Sequence, residues 1–283
     1  MKKIVLLCLT IILISYNYLF GFSAGFMGSG AAKNAGAPAG FTDFTDNANC
    51  QAAYLFNDDL TDESGEGNTL TDGVSIVYST TRPTQYSTPQ GKSADFEAGD
   101  SDYLSRADAD VSANFPGQAT KTDFSVSFWV KYESLSCNYG IIGKKLTDSW
   151  GIANLWNVNR CSMRMYIYDG TDGVYVTLQE NDDTDWHHVV VAFHGGSNHI
   201  HLYMSSDGGT FGDEQLHDDV AGTPIVLTNV DSAWANANDF TIGAYSGGNF
   251  LDGLIYQPIV FDDLLTAAEA QSIYENGITG NDG

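Results

Sequence analysis

Positive charge is scarce in this sequence: 12 Lys and Arg stand against 36 Asp and Glu over 283 residues, a formal net charge of −24. The acids are spread along the chain instead of forming a tail, so the surface as a whole repels phosphate backbones and nucleic acid is not an expected partner. Cysteine is sparse as well, with only Cys8, Cys50, Cys137 and Cys161 and no CxxC pair, so a thiolate zinc site is not expected. Long apolar runs are missing after residue 22. That argues against a second hydrophobic span and for many short, half-buried elements.

What is present begins with Met1-Lys-Lys3 and the apolar stretch Ile4–Phe22, followed by small residues at Gly21, Ser23, Ala24 and Gly25. This is the pattern of a secretory signal peptide, assigned to 1–24, although the apolar stretch approaches the length of a membrane anchor. Ser15, Tyr16, Asn17 and Tyr18 interrupt its hydrophobicity, which favours cleavage, a secreted or cell-surface location and no stable membrane insertion afterwards. Residues 25–47 are Gly- and Ala-rich and aperiodic, a flexible linker. Loss of Cys8 with the leader leaves three of the four cysteines. Cys137 and Cys161 flank a predicted strand pair and are the expected bridge, with Cys50 spare at the linker junction.

The remainder, 48–279, reads as one domain organised around residues 185–209. Two runs of β-branched and aromatic residues, 186–194 and 199–204, are separated by Gly195-Gly196-Ser197-Asn198, the pattern of an antiparallel hairpin. Val189, Val190 and Val191 are consecutive instead of alternating with polar residues, which predicts a strand covered on both faces. Further strands are expected at 52–56, 74–78, 93–97, 102–106, 124–132, 139–144, 150–156, 162–168, 173–179, 224–228, 239–245 and 250–261. Such a count suits an all-β sandwich of two antiparallel sheets. One short helix closes the domain: Thr266-Ala-Ala-Glu269 is a capping box and Gly277 a C-terminal stop. It is expected to lie across a sandwich edge and protect it.

Trp186-His-His-Val189 followed by Leu202-Tyr203 and Asp207-Gly208 resembles the W-H-H-V…L-Y-x-D-G signature of laminin-G-like domains, with the D-G pair displaced. Three further blocks fall in the same order as in that family: Ala94–Leu104, Phe124–Lys131, and Phe250–Ile255 with Leu265–Ile273. The resemblance implies a jelly roll of the concanavalin A-like lectin/glucanase superfamily. It implies carbohydrate as the ligand class, with extracellular protein as a second class of partner. It also implies a structural calcium near Asp62 and Asp252, but the family's acids after the closing glycine are here Tyr256 and Gln257. No cofactor is required by this reading.

Oxygen-rich turns at Asp58–Glu66 and Glu97–Asp102 and the residue Asp252 supply the candidate calcium ligands Asp62, Asp100, Asp102 and Asp252. Trp150, Trp156, Trp234 and Tyr245 are the candidate sugar-binding aromatics: the tryptophans lie near turns in polar surroundings, where an exposed indole can stack on a sugar ring. Five of six histidines fall in 187–201, with His188 and His194 on one face of their strand and His199 and His201 on one face of the next. A metal cluster is geometrically open to them, but the W-H-H resemblance makes packing the first reading. Glu180-Asn-Asp182-Asp-Thr-Asp185 is similar to a glucanase E-x-D-x-x-E strand. Its intervening residues are polar, so it reads as a loop with no catalytic residues. The function expected is therefore an exported, non-catalytic binding or adhesion module. A glycan-cleaving hydrolase of the same fold and a purely structural surface component are the alternatives.

Overall fold

A computed structural model describes residues 43–280 except 74, 87, 89, 136–137, 145–147, 158–159, 182, 213–224, 228–229 and 245–247. It also leaves out the side chains of 154–157, 160–162 and 178–181. Strands β1 (Cys50–Ala53), β2 (Thr71–Asp72), β3 (Val77–Ser79), β4 (Ser93–Phe96) and β5 (Leu104–Arg106) lead into the long β6 (Asp123–Tyr132). There follow β7 (Tyr139–Gly143), β8 (Trp150–Asn157), β9 (Arg160–Tyr168), β10 (Gly173–Asn181), β11 (Trp186–His194) and β12 (His199–Ser206). The last elements are β13 (Ile225–Val226), β14 (Phe240–Ile242), β15 (Gly253–Phe261) and the helix α1 (Ala267–Asn276). An eight-stranded antiparallel sheet has the order β13-β12-β11-β6-β15-β4-β3, with β1 also on β15. A seven-stranded antiparallel sheet has the order β10-β9-β8-β7-β14-β5-β2. The architecture is the expected jelly-roll sandwich, with one short α-helix among the described residues.

Alternation sorts the side chains. Phe124, Val126, Phe128 and Val130 of β6 and Val189, Val191 and Phe193 of β11 enter the core between the sheets, where they meet Met163, Met165 and Ile167 of β9. The intervening residues of β6 and β11 are buried too, because a second layer covers the outer face of the eight-stranded sheet. There Trp129, Trp186 and Tyr256 pack with Tyr86 and with Tyr274 of α1. Trp186 and His188 belong to this outer layer, not to the inter-sheet core. Thr266 and Glu269 make both halves of the capping box. The helix lies on the sheet face instead of along an edge, since Tyr274 stacks on Trp129 of the inner strand β6, centroids 5.6 Å apart.

Three local departures from the sequence reading have simple causes. Phe44 is fully buried and its N–H donates to the Ile278 carbonyl at 2.8 Å, so the fold begins before the linker boundary expected at 47. Glu180 and Asn181 continue β10 by pairing with Ser162 and Cys161 of β9, so the loop expected over 180–185 starts later. Cross-strand pairing has overridden the polar composition. In β15 the register shifts between Tyr256 and Ile259, with Gln257 at φ 48°. This bulge lets β4 pair with the first half of the strand and β1 with the second.

Candidate ligand-binding site

Of the two candidate aromatics whose side chains are described, Trp150 and Trp234, it is Trp234 that the fold presents to solvent. Its indole is 46% exposed, while its backbone N–H donates to the Tyr168 carbonyl at 2.8 Å at the end of β9. One face rests on Gly170 in the β9–β10 turn: a Cβ added to Gly170 would lie 2.6 Å from the indole Cδ2. Gly170 also has φ 97°, so the turn needs glycine both for its backbone and for this contact.

The loop that carries the indole is held from below. Ala233 exchanges two backbone hydrogen bonds with Lys121, and Asn236 donates its N–H to the Gly117 carbonyl. Asn236 Nδ2 donates to the Lys144 carbonyl at 3.1 Å, and Lys144 Nζ donates back to the Asn236 carbonyl at 3.3 Å. Lys144 is wholly buried and paired with Asp108. Desolvation lowers its pKa, and the Asp108 partner opposes the shift. A platform fixed in this way loses little conformational entropy when a ligand stacks on it.

The outer face of the seven-stranded sheet carries a second polar–aromatic group. Met163, Met165 and Ile167 point into the core, so Arg164, Tyr166 and Tyr168 point outward. Tyr175 of β10 is 55% exposed, with its ring 5.4 Å from that of Tyr166 and the Arg164 guanidinium carbon 4.7 Å from its centroid. Arg164 Nε has no hydrogen-bond partner among the described residues. The sequence reading missed this group, although the alternation of Met and Ile with Arg and Tyr in β9 contained the signal.

The other candidates fall differently. Trp150 is a correction: it is fully buried, its Nε1 donates to the Pro116 carbonyl at 2.8 Å, and it packs against Phe115 and Phe124. Its turn-like surroundings in sequence are covered by the 115–118 segment in the fold. The Trp156 backbone pairs with Cys161 between β8 and β9. The side chains of Trp156 and Cys161, all of Tyr245 and Cys137, and with them the expected Cys137–Cys161 bridge, lie outside the described residues. Cys50 is a buried free thiol.

Asp62 has no lone pairs to offer an ion. Its Oδ1 accepts from the N–H of Ala53 and of Ser64, and its Oδ2 from Ser64 Oγ and the Asn68 N–H, all within 3.0 Å. It organises the 62–68 loop from inside. Asp102 likewise caps its turn through the Glu97 N–H at 3.1 Å.

Acids gather instead at Asp95, Glu97 and Glu133, one carboxylate oxygen from each lying within 4.8 Å of the others. The register explains it: Phe96 of β4 and Tyr132 of β6 both pair with Gly253, which brings the flanking acids to one corner. Partial desolvation raises all three carboxyl pKa values, and Asp252 raises each further, with Asp102 adding to Asp95 and Glu97 and Asp100 to Glu97. Asp95 Oδ1 is buried with no hydrogen-bond partner among the described residues. An oxygen-only, net-negative donor set with an orphaned oxygen fits a hard divalent cation of the calcium type. Asp100, Asp102 and Asp252 thus stand around the expected region, while the converging trio went unnoticed because Glu133 is remote in sequence.

Residues 99–271 match a laminin G family model described as the concanavalin A-like lectin/glucanases superfamily. No curated protein sequence matches the chain. Among solved structures, domain 4 of AbnA, a GH43 extracellular arabinanase from Geobacillus stearothermophilus in complex with arabinotriose, superimposes with TM-score 0.54 at 18% identity, covering 80% of this chain and 98% of that one. The botulinum neurotoxin serotype D ligand-binding domain in complex with N-acetylneuraminic acid gives TM-score 0.54 at 16% identity, covering 82% of this chain and 51% of that one. A botulinum neurotoxin type C structure, whose cell entry depends on two ganglioside molecules, gives TM-score 0.51 at 14% identity, covering 82% and 51%. The chain spans about half the length of the neurotoxin chains it matches, and at these identities the likeness is one of fold.

Proposed function

The chain belongs to the concanavalin A-like lectin/glucanases superfamily, and from that premise we propose that it is an exported, non-catalytic glycan-binding module. The observation that carries this reading is Trp234, a half-exposed indole backed by Gly170 and fixed by the Lys121 and Lys144 contacts. A sugar presents an apolar C–H face and a polar rim. The Trp234 indole suits the first, and Arg164 with the tyrosine hydroxyls of β9 and β10 offers a second set of contacts to the rim of an extended glycan. Relatives of the same fold whose structures hold arabinotriose or N-acetylneuraminic acid support carbohydrate as the ligand class. Binding asks only for such contacts on a rigid scaffold, whereas hydrolysis asks for a protonated acid and an ionised partner across one bond.

A glycan array read with the full chain tests the proposal. Trp234→Ala is expected to weaken binding to the best glycan by about 1 kcal/mol or more, with thermal stability nearly unchanged. Glu180→Gln and Asp182→Asn should leave binding as it was. Polysaccharide cleavage that any of Glu180→Gln, Asp182→Asn or Glu133→Gln abolishes would replace the binding reading with the hydrolase one.

Export rests on the charged and apolar leader at Met1–Phe22. Mature protein is expected to begin near residue 24–26. N-terminal sequencing of exported material checks this, and an intact Met1 in a membrane fraction would contradict it.

We also propose that Asp95, Glu97 and Glu133 hold a structural calcium ion. Bound there, the ion would supply charge neutralisation between β4 and the end of β6, not chemistry.

A further inference from the structure

We infer that His194 and His199 form a surface site for one divalent transition-metal ion of the zinc, nickel or copper type. The two residues are direct partners across the β11–β12 hairpin. Directly opposed strand residues have Cβ atoms about 4.5–5.5 Å apart, near enough for two imidazoles to converge on one ion at about 2.0–2.1 Å. Phe124, Phe193 and Ile200 are fully buried in the core, so alternation puts Asp123, His194 and His199 together on the opposite, outer face. The His194 and Asp123 side chains are 34% and 35% exposed, which leaves the group open to solvent ions.

A third residue prepares the first. Asp123 faces His194 from β6, and its Oδ1 lies 2.7 Å from His194 Nδ1. With a proton on Nδ1, His194 donates to this carboxylate and its Nε2 lone pair is turned away from it. A carboxylate behind an imidazole in this fashion fixes the tautomer and ring orientation of metal-ligating histidines. Neither His194 Nε2 nor the His199 ring has a hydrogen-bond partner among the described residues. The hairpin itself is held in place: a Cβ at Gly195 would lie 1.8 Å from the Asp231 carbonyl oxygen, so the turn sits directly on the 231 segment. His201, the neighbour of His199 on the same strand face, stands opposite Ala192.

Ligand type separates this site from the acidic corner. Imidazole nitrogen selects borderline transition metals, whereas the carboxylate trio suits calcium. Two protein ligands leave coordination positions for water or for a donor atom brought by another molecule. A simple His194–Asp123 ion pair would give His199 no part, and that difference is what the experiment reads.

The full chain is titrated with zinc chloride in excess calcium, followed by calorimetry and by the imidazole Hε1 resonances. One equivalent of zinc should bind, with His194 and His199 resonances shifting together. His194→Ala and His199→Ala should each weaken zinc binding by about tenfold or more, and Asp123→Asn by about 10–100-fold. His187→Ala removes a ring whose Nε2 is 2.8 Å from Asp183 and should change the affinity by less than about twofold. His199→Gln serves if the alanine variant does not fold. Absence of a one-equivalent zinc event, or an affinity unchanged in both His194 and His199 variants, overturns the assignment.

Discussion

Trp129→Ala is expected to cost roughly 3–5 kcal/mol of folding stability, because it empties the centre of the layer that covers the eight-stranded sheet. A domain of this kind has only about 5–15 kcal/mol in total, so the variant should sit near its folding threshold. Trp129 is 1% exposed and holds the outer layer together from the middle of β6. Its ring lies 4.9 Å from His188 and 5.6 Å from Tyr274, and its Nε1 donates to the Tyr86 hydroxyl at 2.8 Å. Tyr86 in turn donates to the Ile273 carbonyl in α1 at 3.1 Å. Truncation would leave a large cavity between sheet and helix and loosen the link from β6 to α1. A second consequence follows at His188, which burial holds neutral with its pKa lowered from 6.5 to about 3. The folded state therefore binds fewer protons than the unfolded one between about pH 3 and 6.5, so this residue makes stability rise with pH across that window. In Trp129→Ala water reaches the ring, the shift shrinks, and the acid sensitivity should shrink with it. Urea unfolding at pH 7 and pH 5 measures both effects. A loss under about 1 kcal/mol at pH 7 would mean that the outer layer does not depend on this indole.

The same tryptophan marks what could be read from sequence and what could not. Local signals carried far: the capping box at Thr266 and Glu269, the Gly195–Asn198 turn and the triple valine at 189–191 all specify structure through neighbours in the chain. The family blocks placed the sandwich. What failed were judgements of exposure, which depend on what another segment brings. Trp150 sits among polar and turn residues in sequence, yet residues 115–118 close over it. Trp234 has much the same kind of sequence context, yet it remains half-exposed, with a glycine, Gly170, beneath it. The acidic corner failed for a related reason. Asp95 and Glu97 are visible as a pair, but Glu133 joins them only through the shared pairing of β4 and β6 with Gly253. Asp62 matched a family pattern for an ion, whereas the hydrogen bonds that satisfy it come from backbone groups that no composition reveals.

That corner carries the second large effect: removing divalent cations with EDTA is expected to lower stability near pH 7 by about 2–3 kcal/mol relative to protein in calcium at about a hundred times its dissociation constant. Without an ion, Asp95, Glu97 and Glu133 face one another and Asp252, with Lys131 the cation that acts on Glu133. Their folded pKa values are raised above the ordinary carboxylate values of 3.8 and 4.5. The folded state thus holds more protons than the unfolded state just above that range, and stability is lost as pH rises through the folded pKa values. The trio therefore opposes the His188 trend, and in EDTA its contribution should turn downward above about pH 4–5. Calcium should cancel this fall, because the ion replaces the missing protons as the neutralising charge. Glu133→Gln removes one of the three charges. In EDTA at pH 7 it should be more stable than the parent, and in calcium less stable, a crossing that a merely structural role for Glu133 would not produce. Thermal unfolding of parent and variant, each in EDTA and in calcium, reads all four values. Equal melting temperatures of the parent in both media would remove the ion from this account and leave the corner as an unrelieved cluster of like charges.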